Sequence, residues 1–322
     1  MIFNEHLINS YLERVITMKK FEIPFNFDIE LLNFLDKNID KNWVEFLFLS
    51  PFKDDGINAR SHVENVNVNG WTYKVPETRD EYTKIIGEIQ SRGYRPAILL
   101  QEPEQIPIKR LEYYFKLGIR DFVVNNDQVA LNIKNKDSSY NVVASITKTL
   151  SANDIAENDY SMYDKIVLHF PFNRALDRLK ELPQKYSYTI LANSYCSYKC
   201  AVAKKHWYSN AEESKNINCV KHDNKDSLVY IPPEYIHLFE SYTSSFKLQG
   251  REYPTHILAN EIYYYYNKLH NPMAGVIYNR LSPFNQQQYF NEAKNLSFVI
   301  NDNFKPKSPT TPNSSNGLKT SA

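Results

Sequence analysis

The stretch Thr78 to Val124, TRDEYTKIIGEIQSRGYRPAILLQEPEQIPIKRLEYYFKLGIRDFVV, decides the fold. Its first part, Glu81 to Ser91, is an amphipathic run that Thr78 or Asp80 can cap and Gly93 can end, because glycine tolerates the left-handed backbone of a helix C-terminus. The apolar run Pro96 to Leu100 follows and reads as a strand. Ile108 to Leu117, stopped by Gly118, is a second helix, and Ile119 to Val124 a second strand. Helix, strand, helix and strand in close succession are the signature of repeated βα units.

Outward from this stretch, a strand-like run followed by an amphipathic run recurs about every 25 residues, the spacing of such units. The further strands are Phe21 to Phe25, Val44 to Leu49, Val142 to Ile146, Lys165 to Phe170, Ser187 to Leu191 and Phe246 to Leu248. Together with the first two they make eight, which predicts an α/β fold of a single domain: a closed parallel (β/α)8 barrel of the TIM type, with catalytic groups in the loops after the strands. An open doubly wound sheet is the alternative, but the glycine-rich first turn of its dinucleotide-binding form is missing. A short extra run, Leu228 to Ile231, precedes the last strand, and Pro232 and Pro233 open a helix predicted over Glu234 to Ser241. Residues 1–19 form an N-terminal extension, 20–302 the barrel domain and 303–322 a tail whose Pro, Ser, Thr and Asn content predicts disorder. The long polar segment Lys53 to Pro76 is expected to pass over the barrel mouth.

A formal net charge of +1 gives no electrostatic argument for a nucleic-acid or anionic-membrane partner. Charged residues interrupt Met1 to Lys20, so no signal peptide is expected there, and no run approaches the roughly 20 apolar residues of a membrane span. Three cysteines fit a reducing compartment, and the expected location is cytoplasmic. The run Tyr263 to Tyr266 is read as one face of a helix, not as an aromatic binding box.

All three cysteines lie in the loop 193–222, directly after a predicted strand: Asn193, Cys196, Cys200, His206, Cys219, His222. Cys196 and Cys200 are four apart, so a helical backbone would put both thiols on one face, and Cys219 and His222 add a C-x2-H pair. Three thiolates and an imidazole could close a tetrahedral zinc site; three thiolates around iron and sulfide would leave a position for a further ligand or a substrate. The plainer reading is that the thiols are small buried apolar groups and the histidines solvated. The clustering of every cysteine favours metal. Arg251, after the last strand, would reach the mouth that this loop borders; its planar fork suits a carboxylate or phosphate, and a rim salt bridge is the competing role.

The order Asn193-x2-Cys196-Ser197-Tyr198-Lys199-Cys200-x5-His206, then Ile231-Pro232-Pro233-Glu234, then Phe246-Lys247-Leu248-Gln249-Gly250-Arg251 resembles the collagenase-like peptidase family U-32. Phe21 to Leu32 and Phe170 to Leu176 are similar to that family's early strand and its strand end bearing Arg and Asn, so the resemblance runs from about Lys20 to Leu269. It implies a barrel-like α/β fold and one of two activities. Some members are peptidases; others are iron-sulfur proteins of oxygen-independent hydroxylation acting on RNA or quinone precursors. The iron-sulfur members use four cysteines and this chain has three, which leaves the fourth place to His206, His222 or an external ligand.

On this basis the leading expectation is an iron-sulfur oxidoreductase or hydroxylase in which Cys196, Cys200 and Cys219 hold the cluster, while Asn173, Arg174 and Arg251 orient an anionic substrate, a small molecule, peptide or RNA. A peptidase is the second expectation, although neither H-E-x2-H nor G-x-S-x-G occurs. The third is a partner subunit with a structural zinc loop.

Overall fold

The structure, a computed structural model, describes residues 19–53, 55, 67–68, 71–73, 75–102, 106, 108–194, 205, 207 and 229–271. Eight parallel strands close into a barrel: β1 (Lys20–Pro24), β2 (Val44–Leu49), β3 (Pro96–Leu100), β4 (Asp121–Val124), β5 (Asn141–Ala144), β6 (Lys165–Leu168), β7 (Tyr188–Leu191) and β8 (Ser245–Lys247). Neighbours in sequence are neighbours in space, and β1 closes the ring by pairing with β2 (Ile23 opposite Leu47) and with β8 (Phe21 opposite Phe246). The expected (β/α)8 barrel is therefore the fold.

Alternation along each strand divides the apolar residues into two cores, since successive side chains point to opposite faces. Phe46, Ala97, Val123, Val143, Val167 and Leu191 pack together in one cluster, the barrel interior. Their sequence neighbours Leu47, Ile98, Phe122, Val142, Ile166 and Ile190 belong to a second cluster that includes the helix residues Leu31, Tyr82, Leu111, Val129, Ile155 and Leu258. The helices are held on the barrel by this outer layer.

Helices α1 (Ile29–Asn38), α2 (Arg79–Ser91), α3 (Ile108–Lys116), α4 (Asp127–Lys136), α5 (Ala152–Glu157), α6 (Leu176–Glu181) and α7 (Thr255–Asn267) lie between and after the strands. Local chemistry sets their starts. Thr78 and Glu81 form a reciprocal capping box on α2, as Ser151 and Asp154 do on α5, and the side chains of Asp28 and Asn126 cap α1 and α4. Gly93 follows α2 at φ 81° and Gly118 follows α3 at φ 74°, the left-handed exits that the sequence suggests.

The tyrosine run lies on α7, where Tyr264 and Tyr265 are buried. Trp43 stacks on Phe21 with centroids 4.0 Å apart, Tyr266 meets Trp43 edge-on, and the Tyr265 hydroxyl donates to the Ile231 carbonyl at 2.6 Å. These contacts bring the last helix against the first strand.

Several elements differ from expectation. Ile146 and Phe170 leave their strands and begin 3-10 turns, Ile146–Lys148 and Phe170–Arg174. The helix expected over Glu234 to Ser241 is a 3-10 helix, Pro233–Phe239, opened by the two prolines. Val229 to Ile231 forms no strand; the Ile231 amide bonds to the Ala192 carbonyl at 2.8 Å. Of the segment Lys53 to Pro76, Asp55 is tied to Arg79 and Tyr114, and a short antiparallel pair joins Asn67–Val68 to Trp71–Thr72. The expected extension and tail fall outside the described residues apart from Lys19. No helix among the described residues is long and apolar enough to cross a membrane.

Candidate active site at the barrel mouth

The C-terminal ends of β7 and β8 are bound together by side chains as well as by the sheet. Asn193, two residues past β7 and 0% exposed, accepts the Gln249 amide proton at 2.7 Å and donates to the Gln249 carbonyl at 3.1 Å. The Gln249 carboxamide returns a bond to the Asn193 carbonyl at 3.3 Å. Below this clasp the Ala192 amide bonds the Lys247 carbonyl and the Leu248 amide bonds the Glu22 carbonyl, each at 2.9 Å. The chain then turns at Gly250, whose φ of 121° and whose closeness to the Tyr253 ring, 2.5 Å from where a Cβ would stand, leave no room for a side chain. That turn delivers Arg251, 5% exposed, into the mouth.

A cavity of about 50 Å³ lies there, lined by the apolar Phe48, Leu99, Phe170, Leu191 and Trp207 and by the polar Gln101, Thr147, Lys247, Gln249, Arg251 and Glu252. Trp207 is buried and sits edge-on to Phe170 and to His169, at 5.4 and 5.9 Å between centroids. It comes from the segment between β7 and β8, so part of that segment covers the mouth.

Beneath the cavity the barrel interior holds a charged cluster. The Lys247 ammonium donates to Glu22 Oε2 at 3.0 Å and stands 3.5 Å above the centroid of the Phe48 ring, a cation–π contact. Glu22, 0% exposed, also accepts from the Thr189 hydroxyl at 3.1 Å. Lys165 reaches Glu45 Oε2 at 3.0 Å and the Ser245 hydroxyl at 2.9 Å. Glu45 is available because the pairing of β1 with β2 slips by one residue: Phe21 faces Val44 but Glu22 faces Phe46. Burial holds the Lys247 pKa below the ordinary lysine value; Glu22 pulls it upward, and Arg251 and Lys165 add to the lowering.

His169 follows β6 at the same end. Burial pushes its pKa down to about 4, so the imidazole is neutral at physiological pH, and its Nε2 has no hydrogen-bond partner among the described residues. Sequence reading passed over both His169 and Lys247. A lone histidine after a strand carries no spacing signal; Lys247, between the outward Phe246 and Leu248, could have been recognised as an inward charge from alternation alone.

Of the expected site residues, Arg251 lies in the mouth. Asn173 lies beside it, but its amide nitrogen is committed to two backbone carbonyls, Leu191 at 2.8 Å and Val229 at 2.9 Å, so that nitrogen ties the chain leaving β7 to the chain returning at Val229. Arg174 closes the 3-10 turn Phe170–Arg174. Cys196, Cys200, Cys219, His206 and His222 lie outside the described residues. Among the described residues no group of three or more His, Cys, Asp or Glu could hold a metal. At the opposite end, Asp121 is bound by Arg95 and by Asn141 (2.7 Å), a cluster far from the loops that carry chemistry in such barrels.

Solved structures similar to this chain include a U32 peptidase (11% identity, TM-score 0.44, covering 73% of this chain and 94% of that one) and a GH113 β-1,4-mannanase (13% identity, TM-score 0.42, covering 77% and 98%). A β-N-acetylhexosaminidase is also similar, at 8% identity and TM-score 0.40, covering 92% and 79%. No protein-family model and no curated protein matches the sequence. These likenesses concern barrel architecture and assign no chemistry to this chain.

Proposed function

We propose that this chain is a barrel enzyme for an anionic substrate, received at Arg251, whose chemistry comes from a metal centre held by Cys196, Cys200 and Cys219 with His206 or His222 nearby. The observation that carries the reading is the clasp of Asn193 with Gln249. It fastens the entrance of the cysteine segment two residues from Arg251, and Trp207, next in sequence to His206, is buried in the same mouth. The donor set suits a soft metal: three thiols and an imidazole match zinc, and three thiols match an iron-sulfur cluster with one place left for another ligand. Such a centre, when bound, would supply electron transfer or Lewis-acid activation. The chain's own residues would hold the substrate: Arg251 as a fork for a carboxylate or phosphate, and the apolar walls of Phe48, Leu99 and Trp207 to limit water.

With iron and sulfide the activity is an oxygen-independent hydroxylation or related redox step. With zinc it is hydrolysis of a peptide-like substrate. Metal and acid-labile sulfide analysis of anaerobically purified protein tests the proposal. Stoichiometric iron with sulfide supports the redox reading, stoichiometric zinc the hydrolytic one or a structural zinc loop, and neither above trace overturns all of them. Cys196→Ala, Cys200→Ala and Cys219→Ala should each lose most of the metal, since a site missing one thiolate is opened to water and competing ligands.

A further inference from the structure

We propose that Lys247 is a covalent site: its amine condenses with the carbonyl of a small acid in the mouth cavity to form an iminium, while Arg251 holds the acid group. The inference rests on the reading that the mouth receives an anion, and adds the lysine and the class of substrate, a small oxo acid.

The geometry has three parts. Lys247 stands at the C-terminal end of β8, 6% exposed, and lines the cavity together with Arg251. Its ammonium lies 3.0 Å from Glu22 Oε2, so a proton acceptor is in place. The cavity, about 50 Å³, takes on the order of four waters at about 10–15 Å³ each, or one acid of comparable size. Lys165 does not share the role, because Glu45 and Ser245 hold it at 3.0 and 2.9 Å and it does not line the cavity. Burial and the neighbouring Arg251 and Lys165 favour the neutral amine that a Schiff base requires, against the opposing pull of Glu22.

The step balances without a further reagent. The Lys247 ammonium gives one proton to Glu22, and the nitrogen lone pair attacks the carbonyl carbon as the π pair moves to oxygen. A proton passes from nitrogen to that oxygen, giving a neutral carbinolamine. Glu22 then returns its proton to the hydroxyl, the C–O bond breaks, water leaves, and the nitrogen lone pair forms the C=N bond of the iminium. The ammonium and the iminium each carry one positive charge, so the charge of the cluster is unchanged.

Glyoxylate with sodium cyanoborohydride, applied to the full chain at neutral pH, tests this by peptide mapping of the carboxymethyl adduct. The expected result is labelling of Lys247 at least 10-fold faster than of the mean surface lysine. Labelling of surface lysines with Lys247 untouched, or of Lys165 in its place, overturns the proposal. Arg251→Gln should slow labelling by glyoxylate several-fold more than labelling by neutral acetaldehyde, which loses only the charge that favours the neutral amine. If Lys247 is labelled rapidly but Arg251→Gln makes no difference, the covalent site stands and the anion reading fails. If glyoxylate raises the melting temperature in an Arg251-dependent way without labelling Lys247, the anion reading stands and the covalent site fails. Lys247→Met leaves buried Glu22 with only the more distant Lys165, 3.7 Å away, so the control is the double variant Glu22→Gln/Lys247→Met, which should lose the rapid adduct. The wild-type peptide map decides the matter even if that variant does not fold.

Discussion

Asn193 and Gln249, 56 residues apart in sequence, hold each other by three hydrogen bonds that join the exits of β7 and β8. The pairing turns two separate loops into one wall of the mouth and fixes where Arg251 stands.

Replacing Asn193 by Ala therefore removes the side-chain bonds to the amide and carbonyl of Gln249 in a buried position. At about 1–3 kcal/mol for each of the two groups, the expected loss is roughly 2–6 kcal/mol. Asn193→Asp keeps the acceptor but sets a buried carboxylate against the Gln249 carbonyl, so it should not restore the loss, and Asn193→Gln should not rescue because its longer chain cannot reach both atoms. Urea denaturation measures the loss; a change within about 0.5 kcal/mol, the size of an ordinary surface substitution, would show that the clasp is dispensable.

The Glu22 and Lys247 pair makes a second prediction, because removing one member of a buried ion pair deprives the other of its nearest countercharge. Glu22→Met or Lys247→Met alone should each cost about 3–5 kcal/mol, whereas Glu22→Met/Lys247→Met together should cost less than the sum. A double-mutant cycle by chemical denaturation checks this. Additive losses would mean that the two groups, 3.0 Å apart, are not coupled.

Two titrating groups, the partly buried His169 and the buried Glu261, should tilt the stability curve in opposite directions. The folded-state pKa of His169 is lowered to about 4 from 6.5 by burial, so the unfolded chain binds the proton more tightly and its contribution to stability is lost as pH falls from 6.5 toward 4. Burial raises Glu261 on α7 to about 8 from 4.5; the unfolded chain loses that proton first, and stability is lost as pH rises from 4.5 through 8. Glu261 Oε1 has no partner among the described residues, and Oε2 accepts only from Asn271 at 3.3 Å. Denaturation across this range should show that His169→Phe flattens the acid limb and Glu261→Gln the alkaline one. NMR titration of His169 with a midpoint near 6.5 would contradict the first assignment.

Much of the barrel was legible because the strands are rich in apolar residues and ended by local punctuation: β2 and β3 have the bounds that the sequence suggests, and α2 begins at the Thr78 cap. The ends of β5 and β6 were not legible. Ile146 and Phe170 look like strand residues, yet the chain bends there into 3-10 turns that direct side chains into the mouth. Arg251 was legible as a charge just past a strand. Asn193 and Gln249 each stood in a recognisable block, but a bond across 56 residues leaves no local pattern. Lys247 and Glu22 were obscured because their strands were read for apolar content, and the slip that brings Glu45 to Lys165 has no sequence signal.

The most direct test of the account is to locate the metal. Anomalous diffraction from crystals of anaerobically purified protein should show one metal centre over the C-terminal mouth, bonded to Cys196, Cys200 and Cys219 and on the same rim as Arg251. A metal bound at the Asp121 end of the barrel, or cysteines with no metal between them, would contradict it.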